Sequence, residues 1–471
     1  MNEASPIPEG EMEPAEMERP APMQGDLTSG PILKTLMLFS IPMLISNVLQ
    51  TLNGSINAIW VGRLIGESAL AATANANVIM FLLFAAVFGF SMATTVRVGQ
   101  SFGARDLDAA RRTFGSGVGF CSLVAALVGI AGWFFAEPLL DAMGTPGESK
   151  FQALAYLKVI FVTLPFGSVS MMVSMGMRGA GDSRTPLYAM IMTVLLDIAL
   201  NPLLIMGAGP VPGMGIAGSA VATAIANFGG LVFQVWRIYR QNLPMRLRGE
   251  ELRYLLPKSD ELAFIVTKGL PMGAQMLLVS SAGLIMIGLV NREGLNASAA
   301  YGASLQLWNY LQMPPFAMGT AVSAMVAQSI GAHDHARVDE VTRVGMITNL
   351  ALTTALAALI VGFDRPLLAL FLGGDSPAMP IAQHIQLVCT ASFVIVSVTM
   401  ILQGTFRAYG VVFMPLVIMF IGLFPGRFGF YYLMYPRLGG DAVWWSFPVG
   451  SVVTVGLTYA YFYLAKWRMV D

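Results

Sequence analysis

Asp197 lies near the centre of the apolar stretch 186–207, the only one of 27 Asp and Glu residues placed in the middle of such a run. A charged side chain at bilayer mid-depth costs on the order of 2.5–3.5 kcal/mol by insertion scales. A carboxylate there must face protein or water. It is neutralised by a proton, held against a hard monovalent cation such as Na+, or tied down by hydrogen bonds from neighbouring helices. The first two make it a coupling group and the third a structural one. Asn201 follows four residues later and shares its helix face. Arg427 is the counterpart of opposite sign, the lone cation near the middle of an apolar run. Such a residue engages an anionic group of a substrate or lipid, balances bound charge, snorkels to a headgroup, or hydrogen-bonds backbone carbonyls.

Uncharged amides inside apolar runs hydrogen-bond a ligand at little burial cost, but they also join helices. Gln50, Asn53, Gln275 and Gln306 are the candidates to line a substrate path. Pro42, inside the first run, lacks the N–H that would close its helical turn, so it is a candidate hinge or a static kink. Other motifs carry less. Gly213-Met-Gly215-Ile-Ala-Gly218 matches a dinucleotide fingerprint but follows no strand, and no GxxxxGK[ST] occurs. His333 and His335 flank Asp334 without further metal ligands, and no nucleophile triad is apparent. No cofactor or metal centre is expected beyond a Na+ at Asp197.

The elements that must hold these residues follow from composition. Of 471 residues, 56% are hydrophobic and only 11% charged, against roughly 25% charged in soluble domains. A soluble enzyme or secreted module of this size is excluded. Twelve apolar runs of spanning length are predicted between residues 34 and 466, as expected of an all-α polytopic membrane protein. Residues 1–30, rich in Glu and Pro, read as a disordered acidic cytoplasmic tail without the pattern of a signal peptide. Lys and Arg fall 20 to one side of the spans and 6 to the other, which places both termini in the cytoplasm. With 27 acidic and 27 basic residues, nothing in the charge balance points to nucleic acid, and no protein partner is evident.

The chain repeats itself. Pro42 returns as Pro271; Gln100-Ser101-Phe102-Gly103 returns as Gln328-Ser329-Ile330-Gly331; Arg178, Gly181 and Pro186 return as Arg407, Gly410 and Pro415. An offset of 228 or 229 residues across three separated segments gives two six-span halves, 31–236 and 262–471, joined by a basic cytoplasmic linker, 237–261. Six spans per half start both halves on the same side, as parallel repeats with a substrate path between them. At this offset Arg427 corresponds to Ile198, beside Asp197.

Ile41-Pro42-Met43-Leu-Ile-Ser46-Asn47, Trp60-Val61-Gly62, Gly99-Gln100-Ser101-Phe102-Gly103-Ala104, Arg178-Gly179-Ala180-Gly181-Asp182 and Asn201-Pro202-Leu203-Leu204 resemble the multidrug and toxic compound extrusion (MATE) family, nearest its DinF-like branch. The resemblance covers 31–468. It implies two six-helix bundles forming a V with a central cleft in the plasma (inner) membrane, working as an exporter. The implied activity is antiport of amphipathic organic compounds, cations above all, against H+ or Na+, with membrane lipid as the surroundings. It also implies that Asn57 and Thr223 close the site around Asp197 and Asn201. Two departures stand out. The family's first-span Val-Asp-Thr reads Ile56-Asn57-Ala58 here, and its fifth-span Asn-x-x-x-Asp-Pro reads Asp197-Ile-Ala-Leu-Asn201-Pro202. One carboxylate stands where two are expected, and Leu277, Leu278 and Val279 supply none in the seventh span. A flippase for a lipid-linked precursor is the alternative, and would favour several cations along the cleft. An intramembrane enzyme lacks its constellation, and a channel or receptor is the third choice.

Overall fold

The computed structural model describes residues 25–142, 147–208, 211–465 and 467–469. The first half comprises α1 (Ile32–Leu64), α2 (Glu67–Gly103), α3 (Leu107–Ala142), α4 (Gly147–Gly179), α5 (Arg184–Met206) and α6 (Ile216–Arg240). The second begins with α7 (Ser259–Arg292), α8 (Leu295–Gly331), α9 (His335–Gly362), the short α10 (Asp364–Leu372) and α11 (Met379–Ala408). Its fifth span runs as α12 (Phe413–Ile421), a π-helical turn Gly422–Phe428, and α13 (Gly429–Leu438), before α14 (Asp441–Leu464). Long apolar sequences close their backbone hydrogen bonds within each segment because lipid offers no partners. The only strands among the described residues are Gly207–Ala208 and Val211–Pro212, a ribbon between α5 and α6.

Eleven described spans are long and apolar enough to cross a membrane. The twelfth, α8, has the length but not the apolarity. Its residues 317–329 are all buried, so packing against protein replaces contact with lipid along that stretch. The architecture is the expected one of twelve spans in two repeats.

The repeated sequence motif is where the halves meet. A Cβ on Gly103 of α2 would stand 1.9 Å from the carbonyl oxygen of Gln328 in α8, and one on Gly331 would stand 1.9 Å from that of Gln100. Only glycine permits such an approach at both places. The glutamines cross over in the same reciprocal way. Gln100 Nε2 donates to Ala408 O at 2.7 Å, and Gln328 Nε2 donates to Gly179 O at 3.0 Å; Gly179 and Ala408 are themselves repeat equivalents. Even the turns match, with Arg105 (φ 61°) and His333 (φ 56°) both left-handed. These contacts lie at the end of the molecule that carries both termini. Farther along, Gly54 of α1 and Gly283, Gly288 and Gly302 of α7 and α8 face open space. The halves therefore close on each other at the end that carries the termini.

The acidic tail lies outside the described residues as far as 24, but its expected last part is seated at this junction. Leu27 is buried; its N–H donates to Gln328 Oε1 at 2.9 Å, while Gln328 Nε2 also reaches Gly25 O at 3.3 Å. Arg337 donates to the carbonyls of Leu27, Ser29 and Gly30 at 3.1–3.2 Å. Residues 25–30 thus pack as part of the body, which corrects the tail boundary. Arg337→Ala is expected to let thermolysin cut before Leu27 about tenfold faster or more, because losing these bonds lowers the local opening cost by at least about 1.4 kcal/mol. Unchanged cleavage kinetics in timed digests would show that Arg337 does not hold the segment.

The linker is shorter than 237–261 and docked. Helix α6 runs to Arg240, and a 3-10 turn, Gly249–Leu255, rests on α3. Arg111 of α3 bonds Pro244 O at 2.8 Å and Glu251 Oε1 at 2.7 Å. Gly115 and Gly119 leave room for Tyr254 and Leu255, so they serve close packing.

Candidate functional site

Asp197 is fully buried in α5 and is met from three helices. Its Oδ2 accepts from Asn53 Nδ2 and Asn57 Nδ2 of α1, each at 2.7 Å. Its Oδ1 accepts from Asn201 Nδ2 at 2.8 Å and from Thr223 Oγ1 of α6 at 3.1 Å. Asn201 Nδ2 also reaches Asn57 Oδ1 at 3.0 Å, which ties the two amides together. The carboxylate has no ion-pair partner among the described residues. All its donors are neutral, so the site keeps one net negative charge in its ionised form.

Two acceptors at the site are left over. Asn53 Oδ1 and Asn201 Oδ1 are buried with no donor. A buried carbonyl oxygen without a partner costs free energy. A proton on Asp197 would bring a donor to one of these oxygens after a small amide rotation. A hard monovalent cation would instead use amide oxygens together with the carboxylate.

Asn57, Thr223 and Asn201 therefore meet at Asp197. Asn53 joins them, although the sequence places it among the cleft amides. Its spacing carried the signal: Asn53 and Asn57 are four apart on α1, as Asp197 and Asn201 are on α5. Gln275 is buried and donates to Val412 O at 3.3 Å, so it joins helices instead of facing a cleft. Gln50 and Gln306 are exposed. Pro42 is buried in α1 about three turns before Asn53. His333 and His335 are exposed, and no cluster of metal-ligating side chains occurs among the described residues.

Arg427 sits in the π-helical turn of the second half. Its Cζ lies 4.0 Å from the ring centroid of Phe447 in α14. Its Nε is buried without an acceptor.

Two tandem six-helix halves, closed on each other at one end, define a multi-pass membrane protein built from a repeat. The MatE family model matches residues 42–203 and 271–433, one block in each half. The chain is 31% identical over 439 residues to a probable multidrug resistance protein, YoeA, of Bacillus subtilis, covering 93% of this chain and 94% of that one. An FAD transporter of Shewanella oneidensis is 24% identical over 345 residues, covering 73% and 75%. Among solved structures, an outward-facing multidrug resistance MATE family transporter of the MOP superfamily superposes with a TM-score of 0.84 at 22% identity, over 92% of this chain and 96% of that one. The chain belongs to the MATE family of transporters.

Proposed function

We propose that the protein exports amphipathic organic compounds across the plasma membrane by antiport against H+ or Na+, with both termini in the cytoplasm. The observation that carries this reading is the isolated carboxylate of Asp197, fully buried and contacted by neutral donors from α1, α5 and α6. An ion arriving there cancels the uncompensated charge and supplies what the leftover amide oxygens lack. Each unit charge moved down 100 mV supplies about 2.3 kcal/mol.

Half of that shell stands on α1, so ion occupancy bears directly on how α1 packs. Asn53 and Asn57 belong to its far half, beyond Pro42, whose missing N–H weakens the helix between them and the closed end. Loading the site changes the bonds of Asn53 and Asn57, α1 bends at Pro42, and the cleft exchanges sides. The relatives' names support drug efflux as the cargo class. The family resemblance favours cations, but the coupling carboxylate lies under four hydrogen bonds and offers a cationic substrate no free oxygen.

The test is efflux of a fluorescent dye from proteoliposomes under an imposed pH or Na+ gradient, with wild type and Asp197→Asn compared. Wild type is expected to respond to one of the two gradients and the variant to neither. Full gradient-driven efflux by Asp197→Asn would show that the coupling ion binds elsewhere. A wild type indifferent to both gradients would end the antiport reading and favour a flippase.

A further inference from the structure

The closed end is built differently on its two sides. On one side the start of α7, from the second half, lies against α2 and α3 of the first. Glu261 in the first turn of α7 is buried, and its Oε2 accepts from Thr113 Oγ1 of α3 at 2.8 Å. Arg97 Nε of α2 stands 3.8 Å from the same oxygen, and Arg112 Nε of α3 stands 3.8 Å from Oε1. Arg97 also lies over the ring of Phe264 in α7, with Cζ 5.2 Å from the centroid. Among the described residues, every partner of the Glu261 carboxylate belongs to the opposite half. The one other ion pair recorded for these two arginines stays within α3, Arg112 with Asp108 at 3.7 Å.

The other side does the same work without ions. At the offset of 229 that relates Pro42 to Pro271, Glu261 corresponds to Ile32. At the offset of 228 that relates Gln100 to Gln328, Arg97 corresponds to Met325 and Thr113 to Val341. All three are buried in one apolar cluster that joins α1, α8 and α9. Packing alone therefore closes the repeat-related interface, and a carboxylate at 261 is not needed for closure as such. Helix α7 also has a foot in each half. Beyond Pro271, its Ala282, Met286, Leu289 and Val290 belong to the core of the second half. Before Pro271 it lies so close to α2 that a Cβ on Gly89 would stand 2.2 Å from Gly269 O. When the closed end opens, this first stretch must leave α2 and α3, and Glu261 must leave its partners. Once parted, the charges are hydrated, so their attraction favours the closed state alone.

We propose that Glu261 is an electrostatic latch on the closed end, holding α7 to Arg97, Arg112 and Thr113 in one state of the transport cycle and released in the other. The latch rests on the alternating-access reading, since a contact that never parts latches nothing. Its strength falls between two limits. Exposed ion pairs shift an equilibrium by up to about fivefold, and breaking a buried one shifts it by more than about a hundredfold. The Glu261 side chain is 10% exposed, but those of Arg97 and Arg112 are 45% and 32% exposed. An effect of about tenfold follows.

The experiment follows alkylation of Val96→Cys by a water-soluble maleimide in the full chain, in nanodiscs, with Cys121→Ala and Cys389→Ala removing the native thiols. Val96 of α2 is buried in a cluster with Met272 of α7 and Val412, so a thiol there is reached when that side parts. Glu261→Gln keeps the side chain's size and an acceptor for Thr113 but removes the charge. It should speed alkylation about tenfold. In an Arg97→Gln, Arg112→Gln background the same change should bring no acceleration, because no cation is left to release. Concentrated KCl should speed alkylation of the parent chain and leave Glu261→Gln unchanged, since salt screens charged pairs that reach solvent. Thermal unfolding of each variant separates local opening from loss of the fold. Equal acceleration in both backgrounds, no acceleration in either, or a parent rate indifferent to KCl would overturn the latch and leave alternating access standing. If no folded variant is alkylated although the unfolded chain is, this end stays shut, and the latch and alternating access fall together.

Discussion

Gly103→Ala is expected to stop export and to open the end of the molecule that carries both termini. The new Cβ would meet the carbonyl oxygen of Gln328 at 1.9 Å, and that atom is backbone, which cannot rotate away. Overpacking of this kind costs about 1–3 kcal/mol. In a two-state transporter that cost falls only on the state in which α2 and α8 touch. About 2–3 kcal/mol moves such an equilibrium by about 30-fold to 160-fold. Helix propensity cannot explain the result, since alanine favours a helix over glycine by about 1 kcal/mol. Gly331→Ala should do the same, because its Cβ would meet Gln100 O at the same 1.9 Å. Gly302→Ala in α8 faces open space and serves as the neutral control. Spin labels at Arg184 and Glu340, both exposed at the closed end of opposite halves, read the outcome. Longer distances in Gly103→Ala and not in Gly302→Ala are the expected result. Identical distributions would mean that the glycine contact does not hold this end shut.

The reason this interface is built from a repeated motif was half visible beforehand. The recurrence of Gln100 and Gly103 as Gln328 and Gly331 was plain in the sequence, and it established the two halves. Its purpose was not, because the partners are backbone carbonyls: Ala408 lies 308 residues from Gln100, and Gly179 lies 149 residues from Gln328. Backbone groups leave no trace in residue type. The apolar spans were legible for the opposite reason, since lipid acts on every outward side chain in turn. Where protein replaces lipid, that legibility weakens, and α8 falls short of the apolarity of its eleven counterparts.

The site itself divides in the same way. A carboxylate alone in an apolar run announces itself, and so does a lone Arg427. The shell around Asp197 is legible only in part: Asn53 reads as one more amide inside an apolar run, although its spacing to Asn57 matches the Asp197–Asn201 pair. The π-helical turn under Arg427 was unreadable. It inserts a residue into a helical turn without any characteristic residue type, and Pro425 within it could equally have marked an ordinary kink. Short α10 is no more legible, since its apolar residues 367–372 are too few to span a bilayer and follow Asp364-Arg365-Pro366.

Asp197→Leu should destabilise the fold, whereas Asp197→Asn should spare it, and the contrast separates coupling from architecture. With leucine at 197, Asn53 Nδ2, Asn57 Nδ2 and Thr223 Oγ1 lose their recorded acceptor. Asn201 Nδ2 keeps Asn57 Oδ1 and the backbone oxygen of residue 197. Side-chain hydrogen bonds in bilayers average about 0.6 kcal/mol and reach about 1.7, so three losses together amount to about 2–5 kcal/mol. Leucine recovers little of this, because lipid is as apolar as the protein interior and burial gains no hydrophobic term. Asparagine still offers one amide oxygen as an acceptor. Its new N–H group also finds an acceptor, since Asn53 Oδ1 and Asn201 Oδ1 are buried and free of donors. The network closes with its charge removed, at a cost of about 1 kcal/mol or less. Both variants should lose gradient-driven efflux, but in thermal unfolding Asp197→Asn should track wild type while Asp197→Leu melts well below it. A leucine variant as stable as wild type would mean that the four hydrogen bonds contribute nothing to the bundle. An asparagine variant as fragile as the leucine one would mean that the charge itself holds α1, α5 and α6 together, so that neutralising the site would loosen the bundle and not merely switch it.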